Sequence, residues 1–311
     1  MDKIITIIGP TASGKTSLAI QLSKELEGEV ISLDSRQIYK GMGIGTAQPT
    51  IEEMMGVKHH LIGCIHPKEP VSAGIYAELV IDKVALVQKN GKIPIICGGA
   101  GLYYRAIKTG IFSDSITDVN LRNELESSYD DDPNVLLKKL EEIDPEYASI
   151  VHINNKKRLV RALEIFGTTG KAPSINYQNQ KSNPTTKVLD LFTIRLDWDR
   201  KNLNKRINQR LDLMLSSGWI DEVNELVECE RKENSLFPAL NTIGYGQIKS
   251  FLKNDISFEK MKENIFIKTR QFAKRQNQWF NNENTELTIN MDNLKIDEII
   301  QILCGLVKVM I

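Results

Sequence analysis

Gly9, Pro10, Thr11, Ala12, Ser13, Gly14, Lys15 and Thr16 fit the spacing GxxxxGK[ST] without exception. The stretch lies between the β-branched run IITII and a helix-like segment, the context this motif requires. Its glycines let backbone N–H groups turn inward around an anion, and the helix start adds partial positive charge. Lys15 supplies a full charge to the terminal phosphate oxygens, and Thr16 offers a hydroxyl to Mg²⁺. The loop alone does not say whether the phosphate is fuel or a leaving group. A P-loop hydrolase has a second apolar strand ending in an acid, whereas KIPIICGG ends in Gly98 and Gly99. That disfavours a hydrolase or a motor.

Asp34 ends the next strand-like run, GEVISLD. Ligands of open α/β sheets collect at the carboxyl ends of strands, so its carboxylate is expected to face the crevice that Lys15 faces. It can orient Mg²⁺, bind a substrate hydroxyl or act as a base; a plain strand-end cap is the structural alternative.

The elements that position these groups follow from the pattern. IITII, GEVISLD and KIPIICGG read as buried strands, and Lys15–Leu26, Gly74–Lys89 and a segment from Leu102 as helices. Ile75, Leu79, Val80, Val84 and Val87 share one face of the second helix. A glycine-rich irregular stretch covers 35–49. Strands alternating with helices imply an α/β fold, a P-loop NTPase-like parallel sheet flanked by helices. Residues 113–187 hold no strand pattern and read as a helical insertion, so the core is expected at 1–112 plus 188–311. Within the insertion, SINYQNQKSNPTTK reads as a loop. VLDLFTIRLDW returns to the sheet, and the chain from Asp199 is expected to be mostly helical. Asp199 is a candidate N-cap, and a long helix covers Ser257–Phe280. Phe272 and Trp279, two turns apart on it, read as a buried stripe.

Forty Lys and Arg balance forty Asp and Glu, so any nucleic-acid binding must come from local patches. The four cysteines, Cys64, Cys97, Cys229 and Cys304, form no CxxC pair and read as reduced thiols of a cytoplasmic protein. No apolar run is long enough for a membrane anchor or signal peptide. His59 and His60, being adjacent, point apart and suit packing or hydrogen bonding better than a metal. Tyr39 reads as a wall of the cleft.

DSRQIYKGMGIGTAQP, taken with GPTASGKT, resembles the isopentenyl-transferase family, most closely the bacterial tRNA dimethylallyltransferases. GGAGLYYRAI, KKRLVRALEIFGTTGKAPS, RINQRLDLML, TIGYGQ and TRQFAKRQNQWF are similar to later blocks of that family in the same order. The resemblance implies a Mg²⁺-dependent transfer of the dimethylallyl group from dimethylallyl diphosphate. The acceptor is the exocyclic amine of the adenine 3′ of the anticodon, in tRNAs reading codons that begin with U. It also implies a monomer that binds the tRNA anticodon stem-loop, with Gly9–Thr16 on the diphosphate and Asp34, Lys15 and Thr16 at the chemistry. Arg206 and Arg210, one helical turn apart, are candidates to reach the diphosphate, with surface ion pairing as the alternative. Asp34, Ser35, Arg36 and Gln37 would contact the flipped base and its neighbours. Arg122 and the block Lys157, Arg158, Leu159, Val160 and Arg161 would contact tRNA. Ala100 would too, although the family has a threonine there, whose hydroxyl bond alanine cannot make.

Bottom-up chemistry agrees with that reaction. An allylic C–O bond ionises because its cation is delocalised, and cations aimed at the departing polyanion act where charge develops. The competing readings are an adenylate isopentenyltransferase, a kinase and a non-catalytic RNA-binding module. The basic helical insertion favours tRNA over a free nucleotide, and DSRQIYKGMGIGTAQP is foreign to a kinase.

Overall fold

A computed structural model describes residues 3–110, 118–182 and 187–310. In chain order it runs β1 (Ile4–Ile8), α1 (Lys15–Glu25), β2 (Gly28–Leu33), α2 (Ile51–Met54), β3 (His59–His60), α3 (Ala73–Lys89), β4 (Ile93–Gly98) and α4 (Gly101–Thr109). Then come α5 (Val119–Asp131), α6 (Pro133–Ile143), α7 (Pro145–Ala148), α8 (Lys156–Thr169) and α9 (Pro173–Ser182). The chain finishes with β5 (Leu191–Asp197), α10 (Arg200–Ser216), α11 (Trp219–Lys232), α12 (Tyr245–Leu252), α13 (Phe258–Phe280), β6 (Leu287–Asn290) and α14 (Ile296–Met310).

The six strands form one parallel sheet in the order β3-β2-β4-β1-β5-β6. β1 is central and buried along its whole length, as expected of a strand covered on both faces. On one face Leu18 and Leu22 of α1 and Ile299 and Leu303 of α14 pack with Ile5, Ile7, Ile95 and Ile194 of the strands. α3 covers β2 and β4 with Tyr76, Val80, Val84 and Val87, while Ile75 on the same helix is exposed. The carboxyl ends of β1, β2 and β4 therefore open onto one rim.

The chain divides into two compact units, Met1–Tyr104 with Leu189–Ile311, and Arg105–Val188. The division falls within α4. The second unit has its own core, in which Leu125, Leu136, Leu140, Leu159 and Leu163 meet. Pro133 and Pro145 sit in the first turns of α6 and α7, where their missing N–H costs nothing, behind the N-caps Asp132 and Asp144.

Two expectations are corrected. SINYQNQKSNPTTK is not a loop as far as Ser182: it continues α9, anchored by the buried Asn176, whose amide donates to Thr169, Lys171 and Ala172, and 183–186 lie outside the described residues. The region after Asp199 is mostly helical as expected, with one strand, β6, which pairs with β5. Phe272 is exposed rather than in the core, and the buried face of α13 carries Met261, Ile265, Ala273, Gln276 and Phe280 instead. His60 and His59 do hydrogen-bond, to the Glu29 carboxylate at 2.6 Å and the Val57 carbonyl at 2.9 Å. Among the described residues no helix is long and apolar enough to cross a membrane.

Candidate active site

The phosphate loop turns where its sequence permits. Gly9 has φ +150°, and a Cβ there would stand 2.7 Å from the Leu196 carbonyl of β5. Gly14 takes up the left-handed region at the start of α1 with φ 93°. Ala12 also has positive φ, 63°, a conformation that costs an L-residue about 1–2 kcal/mol. The Lys15 Nζ donates to the Pro10 carbonyl at 2.6 Å and approaches the Ser13 hydroxyl at 3.5 Å. Burial strips the ammonium of water and, helped by the charge of Arg210 and opposed by Cys97 and Asp34, lowers its pKa to about 8.

α10 brings two arginines to this loop, one turn apart. The Arg206 Nε donates to the Ala12 carbonyl at 2.8 Å, and its guanidinium lies 4.5 Å from the centre of the Trp198 ring. Trp198 itself donates to the Ser13 carbonyl at 2.9 Å. Arg210 donates to the Thr11 hydroxyl at 3.2 Å. Burial lowers the pKa of both arginines, and on Arg210 the charge of Asp34 counteracts it. Three cations gathered on one loop repel one another unless an anion lies among them.

Asp34 follows β2 on the same rim. Its charge acts on Lys15, Arg210, Cys97, Tyr76 and Tyr103, so the carboxylate lies in the field of the phosphate loop. Its Oδ1 accepts from the Arg36 N–H at 2.8 Å and the Gln37 N–H at 3.3 Å. Tyr76 fixes the backbone: its hydroxyl donates to the Ser32 carbonyl at 2.8 Å and accepts the Asp34 N–H at 3.2 Å. Burial raises the pKa of that phenol and of Tyr103, the latter to about 12, and Asp34 adds to both.

Ser35, Arg36 and Gln37 are half-buried in the turn after Asp34. The Gln37 carboxamide is fully engaged: it accepts from the Ser32 hydroxyl at 3.1 Å and donates to the Thr46 and Ala47 carbonyls at 3.2 and 2.8 Å. These bonds brace the loop. That loop is held from the other side by Glu222 of α11, whose carboxylate accepts from the Ile44 and Gly45 N–H groups at 2.7 and 3.0 Å. Tyr39 is buried beside it.

The loop after β4 forms the third wall. A Cβ on Gly98 would collide with the Leu33 carbonyl, so β2 and β4 meet here at glycine distance. The Ala100 N–H donates to that carbonyl at 3.3 Å. Gln276 of α13 reaches into the same place. It accepts from the Thr11 N–H and donates to the Gly99 carbonyl, a role that sequence reading missed.

The profile of the IPP transferase family matches residues 37–283. The chain belongs to the IPP transferase family. A curated family member from Acetivibrio thermocellus, named tRNA dimethylallyltransferase, is 41% identical over 300 residues, 96% of this chain and 95% of its own. The solved tRNA isopentenylpyrophosphate transferase of Bacillus halodurans superposes with a TM-score of 0.72 at 34% identity, covering 100% of this chain and 97% of its own. A eukaryotic dimethylallyltransferase, solved acting on tRNA, gives a TM-score of 0.83 at 27% identity, over 99% of this chain and 80% of its own. Several relatives therefore match this transferase over nearly its full length.

Its second unit places the remaining sequence candidates. Lys157 and Arg158, in the first turn of α8, are exposed. Leu159 and Val160 are not: both side chains lie in the core of the unit and are closed to a side-chain contact with RNA. Arg122 and Arg161 converge on one oxygen of the fully buried Glu164, at 2.6 and 2.7 Å. The two arginine side chains remain about one-third exposed.

Proposed function

We propose that the chain transfers the dimethylallyl group from dimethylallyl diphosphate to the exocyclic amine of the adenine 3′ of the anticodon, in tRNAs reading codons that begin with U. The observation that carries this reading is that Lys15, Arg206 and Arg210 gather on the phosphate loop while Asp34 follows β2 on the same rim of the sheet. A carboxylate next to a cationic phosphate loop suits a reaction that loses a polyanion and captures a proton in the same place.

The bond between the allylic carbon and oxygen breaks, and its electron pair leaves with the diphosphate. The loop amides, Lys15, Arg206 and Arg210 stabilise that developing charge. The amine lone pair bonds the allylic carbon, and an amine proton passes to Asp34, which overcomes the poor nucleophilicity of an amine conjugated with the purine. The bonds to the Arg36 and Gln37 N–H groups fix the Asp34 carboxyl through Oδ1.

The residues present suit Mg²⁺. The Thr16 hydroxyl and the Asp34 carboxylate are hard oxygen donors at the loop, and no group of three His, Cys, Asp or Glu among the described residues could cage a metal alone. A cation of this kind is held mainly by substrate phosphates and water. When bound, it would neutralise charge on the diphosphate. Exposed Lys157 and Arg158 suit the phosphates of the anticodon stem-loop, and an adenine in a loop can be splayed from its stack for chemistry. The protein acts as a monomer in this reading.

The test is incubation with Mg²⁺, dimethylallyl diphosphate and either unmodified tRNA or AMP, followed by mass spectrometry of the nucleosides. A prenylated adenosine in tRNA alone is the expected product. Prenylated AMP alone would move the acceptor to a free nucleotide, and absence of any product from either acceptor would overturn the reading.

A further inference from the structure

One carboxamide joins the phosphate loop to the loop after β4. Gln276 is buried, 7% exposed, on the inner face of α13. Its Oε1 accepts from the Thr11 N–H at 2.8 Å, and its Nε2 donates to the Gly99 carbonyl at 2.9 Å. The partners lie 265 and 177 residues away in sequence. Gly99 must be glycine for this joint to exist, because a Cβ would strike the Gln276 Nε2 and stand 3.1 Å from the Gly9 carbonyl. One turn further along α13, Trp279 closes over Gly101, where a Cβ would come within 2.5 Å of the indole.

We propose that Gln276 is a positioning residue that sets the separation between the diphosphate loop and the loop bearing Ala100, and thereby aligns the allylic carbon with the attacking amine. The inference rests on the transfer reaction proposed above. Three observations favour alignment over simple support. The Thr11 N–H is consumed by Gln276, so Gln276 decides which loop amides remain for the diphosphate. The side chain is neutral and adds no charge to a loop that already holds Lys15, Arg206 and Arg210. Both of its bonds end on backbone, so the distance between the two loops is fixed by the length of one rigid amide. Two neutral hydrogen bonds contribute about 1–3 kcal/mol to global stability, whereas a displacement of about 1 Å at reacting atoms can cost about 10²-fold in rate in molecules that remain folded.

The experiment is steady-state transfer to tRNA by the full-length wild type, Gln276→Leu and Gln276→Glu, with the folded fraction of each measured by circular dichroism. Leucine is nearly isosteric and removes both bonds. Glutamate keeps the acceptor for Thr11; ionised, it turns an oxygen on the Gly99 carbonyl, and protonated, it restores the donor. Gln276→Leu should lose about 10²-fold in kcat per folded molecule, with KM for both substrates within about threefold. Gln276→Glu should gain on the wild type, in kcat ratio at each pH, as the pH is lowered. A kcat within about threefold for Gln276→Leu, a loss confined to KM, or a loss no larger than the drop in folded fraction overturns the assignment. So does a flat pH ratio for Gln276→Glu. A wild-type chain that transfers nothing overturns the reaction itself, whereas a transferring wild type with unimpaired variants overturns this inference alone.

Discussion

Lys15 donates to the carbonyl of Pro10 at 2.6 Å, so the cation that would grip the substrate is tied to its own loop. The same burial brings its pKa to about 8. Below that pH the amine is charged and ready for an anion. Above it the proton must be taken up again on binding. The kcat/KM for dimethylallyl diphosphate should therefore fall about tenfold per pH unit above pH 8, because that ratio reports the free enzyme. The kcat should stay flat to higher pH, since bound diphosphate holds the proton in place. The stability sign is opposite. The folded pKa lies below the unfolded value, so the cost of burying the ammonium is fully present below about pH 8 and is relieved as the pH rises toward 10.5. Lys15→Met should lose transfer and yet raise the urea midpoint at neutral pH, an exchange of activity for stability.

Asp34 separates chemistry from binding. Asn is close to isosteric, and its carboxamide oxygen can still accept from the Arg36 and Gln37 N–H groups, so the turn should persist. It cannot take a proton from the amine. Asp34→Asn should lower kcat by about 10²–10⁴-fold while the Kd for tRNA, read by gel shift, changes little. Near-normal turnover by Asp34→Asn or Asp34→Ala would remove the base from this residue.

The parts of the site that were legible in the sequence are those governed by local rules. Gly9–Thr16 is a contiguous motif, and β1, β2, β4 and β5 are apolar runs bounded by polar turns. Gln276 obeys no local rule: it is one of three glutamines in a polar helix with no spacing signal to single it out, and its partners come from two distant loops. Gln37 was legible as a polar residue in the right turn, but its engagement by Ser32, Thr46 and Ala47 depends on how residues 35–48 fold back. α9 was hidden by its Asn and Gln content, because its support is partly tertiary: the Ser174 N–H donates to the Asp144 carboxylate and the Tyr177 ring packs on Tyr147. β6 is four residues at a sheet edge and acquires its strand character only by pairing with β5. Phe272 shows the limit of reading periodicity without knowing where a helix turns its face: it lies one residue from buried Ala273, and is exposed.

Ala100 provides a gain-of-function test. Its backbone is held by the Leu33 carbonyl, and it lies between Gly99 and Gly101, which Gln276 and Trp279 crowd. A threonine there adds a hydroxyl on the rim that carries Asp34. A hydrogen bond to a charged group contributes about 1.5–3 kcal/mol, so Ala100→Thr should raise kcat/KM for tRNA by about tenfold or more and leave KM for dimethylallyl diphosphate unchanged. A fall in kcat/KM would mean that the loop has adapted to alanine.

The second unit contains a charge relationship that distinguishes structural arginines from those available to RNA. Glu164 is fully buried, its Oε2 accepts from both Arg122 and Arg161, and its Oε1 has no hydrogen-bond partner. One carboxylate thus serves two guanidiniums. Removing it takes their shared buried acceptor from the edge of the core formed by Leu125, Leu140 and Leu163. Glu164→Ala should destabilise by about 3 kcal/mol in urea, at the lower end for a broken buried pair because the arginines are partly hydrated. Glu164→Gln, which keeps an acceptor oxygen, should lose less. Arg122→Ala should share this stability defect. Lys157→Ala and Arg158→Ala, on the exposed first turn of α8, should not. Each of the latter should instead weaken tRNA binding and reduce the slope of log K against log salt by about one counterion. If Arg122→Ala leaves stability unchanged and lowers the salt slope, the arginine belongs to the RNA surface and the Glu164 pairing is incidental.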